Sequence, residues 1–342
     1  MKKVNLDYNT YELKFKTPFA TSKGIFDYRK GFIIELKDEK GISSVGDAAP
    51  FPEFGSETFK EAEDVLNRIE IIIPAEPPYN FLKIIEEILM PLEKFPSIKC
   101  GLEQALISYI SKTNKTNFND IIGINSNREI LVNALVNIFP EKHTLRKINQ
   151  YVKDGFETIK LKIGRDDFAE ELRIITEIFS RYPKLNVRLD VNGQWNYEVA
   201  VERLNKLKIF NIEYVEQPVS SNEEMINLIN EVDVPIAADE SIRKINDVEN
   251  FINNSRISAL IIKPMMIGGI IPLKKILDLV KDKNIKTIVT SSFESYIGRS
   301  YAVFAASLIK NKYAHGLNTE NVFVEDLGEN IFKVNRGKII IG

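Results

Sequence analysis

The first 55 residues alternate polar and apolar positions. The runs YELKFKTPF (11–19), RKGFIIELKD (29–38) and GISSVGDAAPF (41–51) show period-two alternation or β-branched clusters, with turn residues at Asp38–Gly41. This pattern predicts an antiparallel meander. Helical spacing takes over at about 56–69, 81–90 and 98–110. From about Glu129 short apolar runs alternate with amphipathic stretches. The runs are ILVNALV, TIKLKIG, NVRLDV, IEYVEQ, PIAADE, ALIIKP and KTIVTSS, with a weaker eighth at AHGLN. Between two of them, Asp167–Arg181 places Phe168, Leu172, Ile175 and Phe179 on one helical stripe. Repeated βα units imply a parallel sheet, and seven or eight units with near-continuous apolar strands favour a closed (β/α) barrel over an open sheet. The closing runs VFVEDL and IFKVNRGKIII return to strand pattern and are expected to rejoin the N-terminal module. The expected organisation is α/β, with an α+β capping domain at 1–115 completed by 320–342 and a barrel at 125–319.

In ETIKLKIGRD (157–166), Ile159, Leu161 and Ile163 take one parity, while Lys160 and Lys162 share the other. Side chains alternate across a strand, so both ammonium groups point the same way. Taken alone, the stretch reads as an edge strand with a solvated lysine face.

Composition narrows the function classes. The chain has 342 residues, 44% of them hydrophobic and 27% charged, and a net charge of −2. That is a globular composition without the basic surplus that nucleic-acid binding needs. No apolar run approaches the roughly 18 residues of a membrane span. The first residues carry no apolar signal core, so the expected compartment is the cytoplasm. The single cysteine, Cys100, excludes an internal disulfide or a thiolate cluster and sits at helical spacing, which assigns it to packing.

Catalytic groups in a parallel barrel sit at the C-terminal ends of strands. The polar residues closing successive runs are Lys160 with Lys162, then Asp190, Glu216, Asp239 with Glu240, Lys263, and Ser291 with Ser292. The steps are 28 positions (162 to 190), 26 (190 to 216), 23 (216 to 239), 24 (239 to 263) and 28 (263 to 291), one βα unit each. Singly, Asp190 reads as a turn former, Glu216 as a strand end and Asp239 as a helix cap. Together they converge at the barrel mouth, where three unpaired carboxylates repel one another. A divalent cation resolves the repulsion. With all-oxygen ligands and no Cys or His nearby, Mg²⁺ is the natural choice and Mn²⁺ the second, while Zn²⁺ is disfavoured. Lys162 and Lys263 flank that position from opposite sides. A cation beside a metal has its charged form disfavoured, so Lys162 suits the role of base for a proton α to a metal-held carboxylate. Lys160 adds positive charge on the same face.

As a set, KLKIG, LDVNGQW, EYVEQP, ADES and KPMMIGG, in this order, resemble the enolase superfamily and within it the muconate-lactonizing-enzyme subgroup. The resemblance implies an enolase-like modified TIM barrel with a capping domain from both termini. His143 and His315 are the two histidines, and neither ends the seventh strand, unlike mandelate-racemase-like members. TSSFESYIGRSYAVFAASL and AHGLNTENVF most resemble the o-succinylbenzoate synthase family. That resemblance implies dehydration of a cyclohexadiene hydroxy-acid in menaquinone biosynthesis, with Lys162 as base and Lys263 as a cation beside the ring. It also implies substrate contacts from Asn192, Ser291, Ser292, Phe293 and the backbone at Gly268 and Gly269. A loop at Ala20–Phe26, with Phe26, Phe54 and Gly55, would close over the site. Dipeptide epimerases carry a D-x-D on the eighth strand, where this chain reads HGLNTEN. N-acylamino-acid racemases share the fold and both lysines. The expected partner is a small-molecule carboxylate, with no nucleic acid and no membrane. A homo-oligomer is compatible with this reading.

Overall fold

The computed structural model describes residues 2–21, 24–73, 80–137, 140–310 and 312–341. Strands β1 (Lys2–Thr21), β2 (Gly24–Lys37), β3 (Ser43–Ala48) and β4 (Ile71–Ile73) form an antiparallel sheet in the order β3-β2-β1-β4. The meander is as expected; β4 is an addition, a three-residue apolar run too short to register by periodicity. The β1–β2 register breaks between Lys14 and Phe19, where Pro18 has no N–H to donate. Lys14 and Lys16 bond instead to Val324 and Val322, so VFVEDL rejoins the N-terminal sheet. The tip of the expected closing loop, Ser22 and Lys23, lies outside the described residues.

The helix Pro96–Asn114 packs across β3 and buries Cys100. The two elements meet so closely that a Cβ on Gly46 would lie 1.9 Å from the Gly101 carbonyl oxygen, which explains a glycine inside a strand. The expected helices are present with shifted ends, at Phe59–Leu66, Phe81–Leu89 and Pro96–Asn114. Pro96 starts the last of them at its first turn.

The second layer runs through β5 (Glu129–Leu131), β6 (Ala134–Asn137), β7 (Thr158–Lys162), β8 (Asn186–Asp190), β9 (Tyr214–Glu216), β10 (Ile236–Ala238), β11 (Ala259–Ile262) and β12 (Lys286–Val289). Strands β6 to β12 form a seven-stranded parallel sheet in sequence order. The ILVNALV run is not one strand. It breaks at Val132–Asn133, and β5 pairs instead with β13 (Lys338–Ile340) in a separate two-stranded antiparallel sheet. The AHGLN segment makes only isolated bridges, Val132 to His315 and Thr290 to Gly316, and among the described residues no regular eighth strand closes the barrel. The stripe on the helix Phe168–Arg181 is also rotated. Its buried residues include Glu171, Ile174 and Ile178 beside Phe168 and Ile175. Glu171 is buried because its Oε1 accepts from the backbone N–H of Gly164 and Arg165.

His315 works at this gap with its side chain. Its Nδ1 accepts from Val289 N at 2.9 Å, its N donates to Leu131 O and its O accepts from Asn133 N. Burial, with the charge of Arg188, lowers its pKa from 6.5 to about 3. The neutral form is therefore the folded form, and its contribution is complete above pH 6.5 and lost as pH falls toward 3. A few kcal/mol is at stake at ~1.4 kcal/mol per pKa unit. Buried Asp47, with its pKa raised to about 6, and Glu103 and Glu294, raised to about 7, act in the opposite direction as they protonate. The expected result is that His315→Gln flattens the acid limb between pH 6.5 and 4 in urea-unfolding free energies, relative to the unmodified chain. Parallel pH curves for the two proteins would contradict it.

No helix among the described residues is long and apolar enough to cross a membrane.

Candidate active site

The parallel register brings the polar strand ends together. Lys162 pairs in register with Asp190, and Asp190 with Glu216, across β7, β8 and β9. Asp239 follows β10 directly and Lys263 follows β11. Lys160, Lys162, Asp190, Asp239 and Lys263 all line one cavity of about 130 Å³, with Glu216 fully buried beside Lys160. The lysine face of β7 thus points into a shared cavity, not into solvent. Lys160 Nζ lies 3.0 Å from Asp190 Oδ2 and 2.5 Å from Glu216 Oε1, and Lys263 Nζ pairs with Asp239 Oδ1. Lys162 makes no ion pair among the described residues and lies 5.3 Å from the Phe19 ring centre.

Charge crowding decides the electrostatics. Burial pushes Glu216 well above the ordinary carboxylate range; Lys160 opposes this, and Asp190 and Asp239 add to the rise. Burial would depress Lys160, but Asp190, Glu216 and Asp239 outweigh it and raise the ammonium pKa. Lys263 is likewise raised against its burial by Asp239 and Glu240. Asp239 is lowered despite burial, by Lys263 and Lys160. Lys160 and Lys263 therefore act here as counter-ions, and no three acidic, histidine or cysteine side chains among the described residues form a ready metal cluster. The donor set nevertheless fits a hard divalent cation. It is all oxygen, and Glu216 Oε2 is buried with no hydrogen-bond partner.

Gln217 explains why EQP follows β9. Its Oε1 accepts from Asp239 N and Ser241 N, and its Nε2 donates to Ser241 Oγ and Val219 O, which fixes Asp239 from the neighbouring strand. Asn192, Gln217 and Phe293 hold φ of 50°, 40° and 59° at three strand exits. Backbone strain of this kind concentrates at functional sites.

Of the remaining expected contacts, Asn192, Ser291, Phe293 and Phe54 line the cavity. Phe54 lies 5.2 Å from Lys263 Nζ, and Asn192 Nδ2 donates to Glu240 Oε1. Ser292, Gly268, Gly269 and Phe26 do not line it. Ser292 is 1% exposed, with its N–H on Glu294 and its carbonyl on Arg29. Gly268 and Gly269, with φ of 90° and 114°, pass under Lys99 and Glu103 of the capping helix, where a Cβ on Gly269 would lie 2.2 Å from Glu103 Oε1. Phe26 packs edge-on against Phe51. Sequence reasoning assigned no site role to Phe19, Glu240, Thr290, Asn318 and Thr319, which also line the cavity. Glu240 carried a signal, standing beside Asp239 in ADES.

Residues 143–341 match the enolase C-terminal domain-like family, and the chain belongs to it. It is similar over nearly its whole length to a protein of Listeria innocua named o-succinylbenzoate synthase, with 25% identity covering 96% of this chain and 88% of that one. It is also similar to the hydrophobic dipeptide epimerase of Enterococcus faecalis, at 24% identity over 91% and 88% of the two chains. The fold matches a solved dipeptide epimerase from Methylococcus capsulatus, complexed with Mg and the dipeptide L-Arg-D-Lys. That match has a TM-score of 0.85 and 19% identity, and it covers 100% of this chain and 98% of that one.

Proposed function

We propose that this chain removes the proton α to a carboxylate with Lys162 as base, and that its reaction is dehydration of 2-succinyl-6-hydroxy-2,4-cyclohexadiene-1-carboxylate to 2-succinylbenzoate. The observation that carries the proposal is the register of Lys162, Asp190 and Glu216 across three adjacent strands, with Lys162 and Asp190 lining one cavity together with Lys263 and Asp239. On this reading residues 125–319 are the catalytic unit and 1–115 its cap.

Asp190, Glu216 and Asp239 would hold Mg²⁺, with Mn²⁺ as substitute, which supplies charge stabilisation for a substrate carboxylate losing its α-proton. The magnesium in the similar epimerase structure supports the metal. Lys160, now on Asp190 and Glu216, would turn to the substrate carboxylate once those oxygens are taken. Lys162 Nζ accepts the α-proton, and its ammonium form returns that proton to the hydroxyl leaving from the same face. Water departs, the ring becomes aromatic and the lysine ends neutral, as it began. Lys263 stays a cation beside the ring. Asn192, Ser291, Phe293 and Phe54 would touch the substrate.

The segment after β12 favours dehydration over dipeptide epimerisation. Asn318 and Thr319 face the cavity, whereas Glu320 accepts from Arg299 Nη2 and Val334 N. Among residues 315–320 the one carboxylate, Glu320, is thus engaged by Arg299 and Val334 and is not offered to a substrate ammonium. Epimerisation or racemisation of an N-acylamino acid is the second reading, favoured by two lysines lining one cavity and by the epimerase relative. The test is loss of the diene absorbance on adding the purified chain with Mg²⁺, with the rate abolished by EDTA. An unchanged diene signal at micromolar protein would overturn the dehydration reading.

A further inference from the structure

Arg29 lies on β2 outside the cavity lining and is 3% exposed. Its guanidinium serves three stretches of chain. Nε donates to Ser292 O at 3.3 Å, Nη1 to Pro50 O at 2.6 Å and to Lys30 O at 2.9 Å, and Nη2 to Ala49 O. The ring of Phe51 lies 4.7 Å from its central carbon. Beside it, Asp47 accepts from Tyr11 OH and from Ser295 N and Oγ, and Glu294 accepts from Ser292 N. These bonds form a polar seam between the antiparallel sheet and the segment leaving β12.

Two of the tethered stretches lead to a ring at the cavity. Ala49–Phe51 leads into the short turn Pro52–Phe54, and Ser292 precedes Phe293. Phe19 packs on Phe293 at 4.3 Å and on Phe54 at 6.2 Å. Phe19 in turn lies against Lys162, and Phe54 against Lys263. We propose that Arg29 is a positioning residue that docks the cap on the barrel mouth and so holds Phe54 and Phe293, and through them Phe19, against the two lysines. The importance of the ring positions rests on the proposed function; the docking role does not. A planar fork reaches four carbonyl groups at once, which a lysine ammonium cannot reproduce. Loss of the fork leaves buried carbonyl oxygens without donors.

The test uses the full chain with Arg29→Lys and Arg29→Met. Hydrogen exchange at 49–55 and 291–295, where Phe54, Gly55, Ser292, Phe293 and Ser295 donate ordered backbone bonds, is expected to rise by about tenfold or more while β7–β11 keep their protection. The Mg²⁺ midpoint of a thermal-shift titration stays within about twofold, since the carboxylates sit on the barrel. For the carboxylate substrate, KM rises by about tenfold with a smaller change in kcat. Exchange that rises evenly over the chain, exchange unchanged at both segments, a fall in kcat at constant KM, or unfolding of both variants would overturn the proposal. If the unmodified chain turns over neither the diene acid nor an N-acylamino acid, the proposed function fails while the exchange pattern still decides the role of Arg29.

Discussion

Lys162→Ala is expected to lower kcat for diene loss by about 10³-fold or more, the scale of a positioned general base. The fold should survive, because Lys162 makes no ion pair among the described residues and its Nζ lies only against the ring of Phe19. The contrast is Lys263→Arg. Lys263 is paired with Asp239 and lies over Phe54. If its contribution is charge alone, arginine keeps that charge at a different shape, and the expected loss is only about tenfold. The measurement is initial rate by absorbance, with thermal melts on the same samples. Equal losses for the two variants would point to a lysine pair that alternates as base, the pattern a racemase requires.

Glu216→Gln and Asp190→Asn are expected to abolish turnover and to weaken Mg²⁺ binding by more than about a hundredfold, beyond the effect of losing a metal's outer partner. Neither should unfold the apoprotein. Lys160 bridges both carboxylates, so removing one leaves it paired with the other. Glu216 also carries a raised pKa, from burial chiefly and from Asp190 and Asp239 in addition, and neutralising it relieves that crowding. Calorimetric Mg²⁺ titration and urea unfolding of the metal-free proteins check both halves. Unaltered Mg²⁺ affinity in either variant would remove these residues from the metal site.

The parallel layer and its polar strand ends were legible because both are local patterns. An apolar run of a few residues, one polar residue at its end and a repeat of one βα unit place Lys162, Asp190, Glu216, Asp239 and Lys263 without knowledge of any contact. The seam between cap and barrel was not legible. Arg29 meets Ser292 across 263 positions and Asp47 meets Ser295 across 248, separations that no periodicity encodes. Phe19 stayed hidden because it follows the register break at Pro18. Gly268 and Gly269 do not line the cavity; their positive φ and the approach of Lys99 and Glu103, equally non-local, call for glycine at both. The ILVNALV run looked continuous because each half is apolar. Asn133 interrupts it, and its Oδ1 lies within bonding distance of the buried Arg188.

The most direct test compares two reactions on one preparation of the unmodified chain with Mg²⁺. In D₂O, kcat/KM for water loss from the cyclohexadiene acid is measured beside kcat/KM for deuterium entry at the α-carbon of an N-acylamino acid. The account predicts that dehydration is the faster. Faster deuterium entry, with the diene acid untouched, would contradict the assigned reaction.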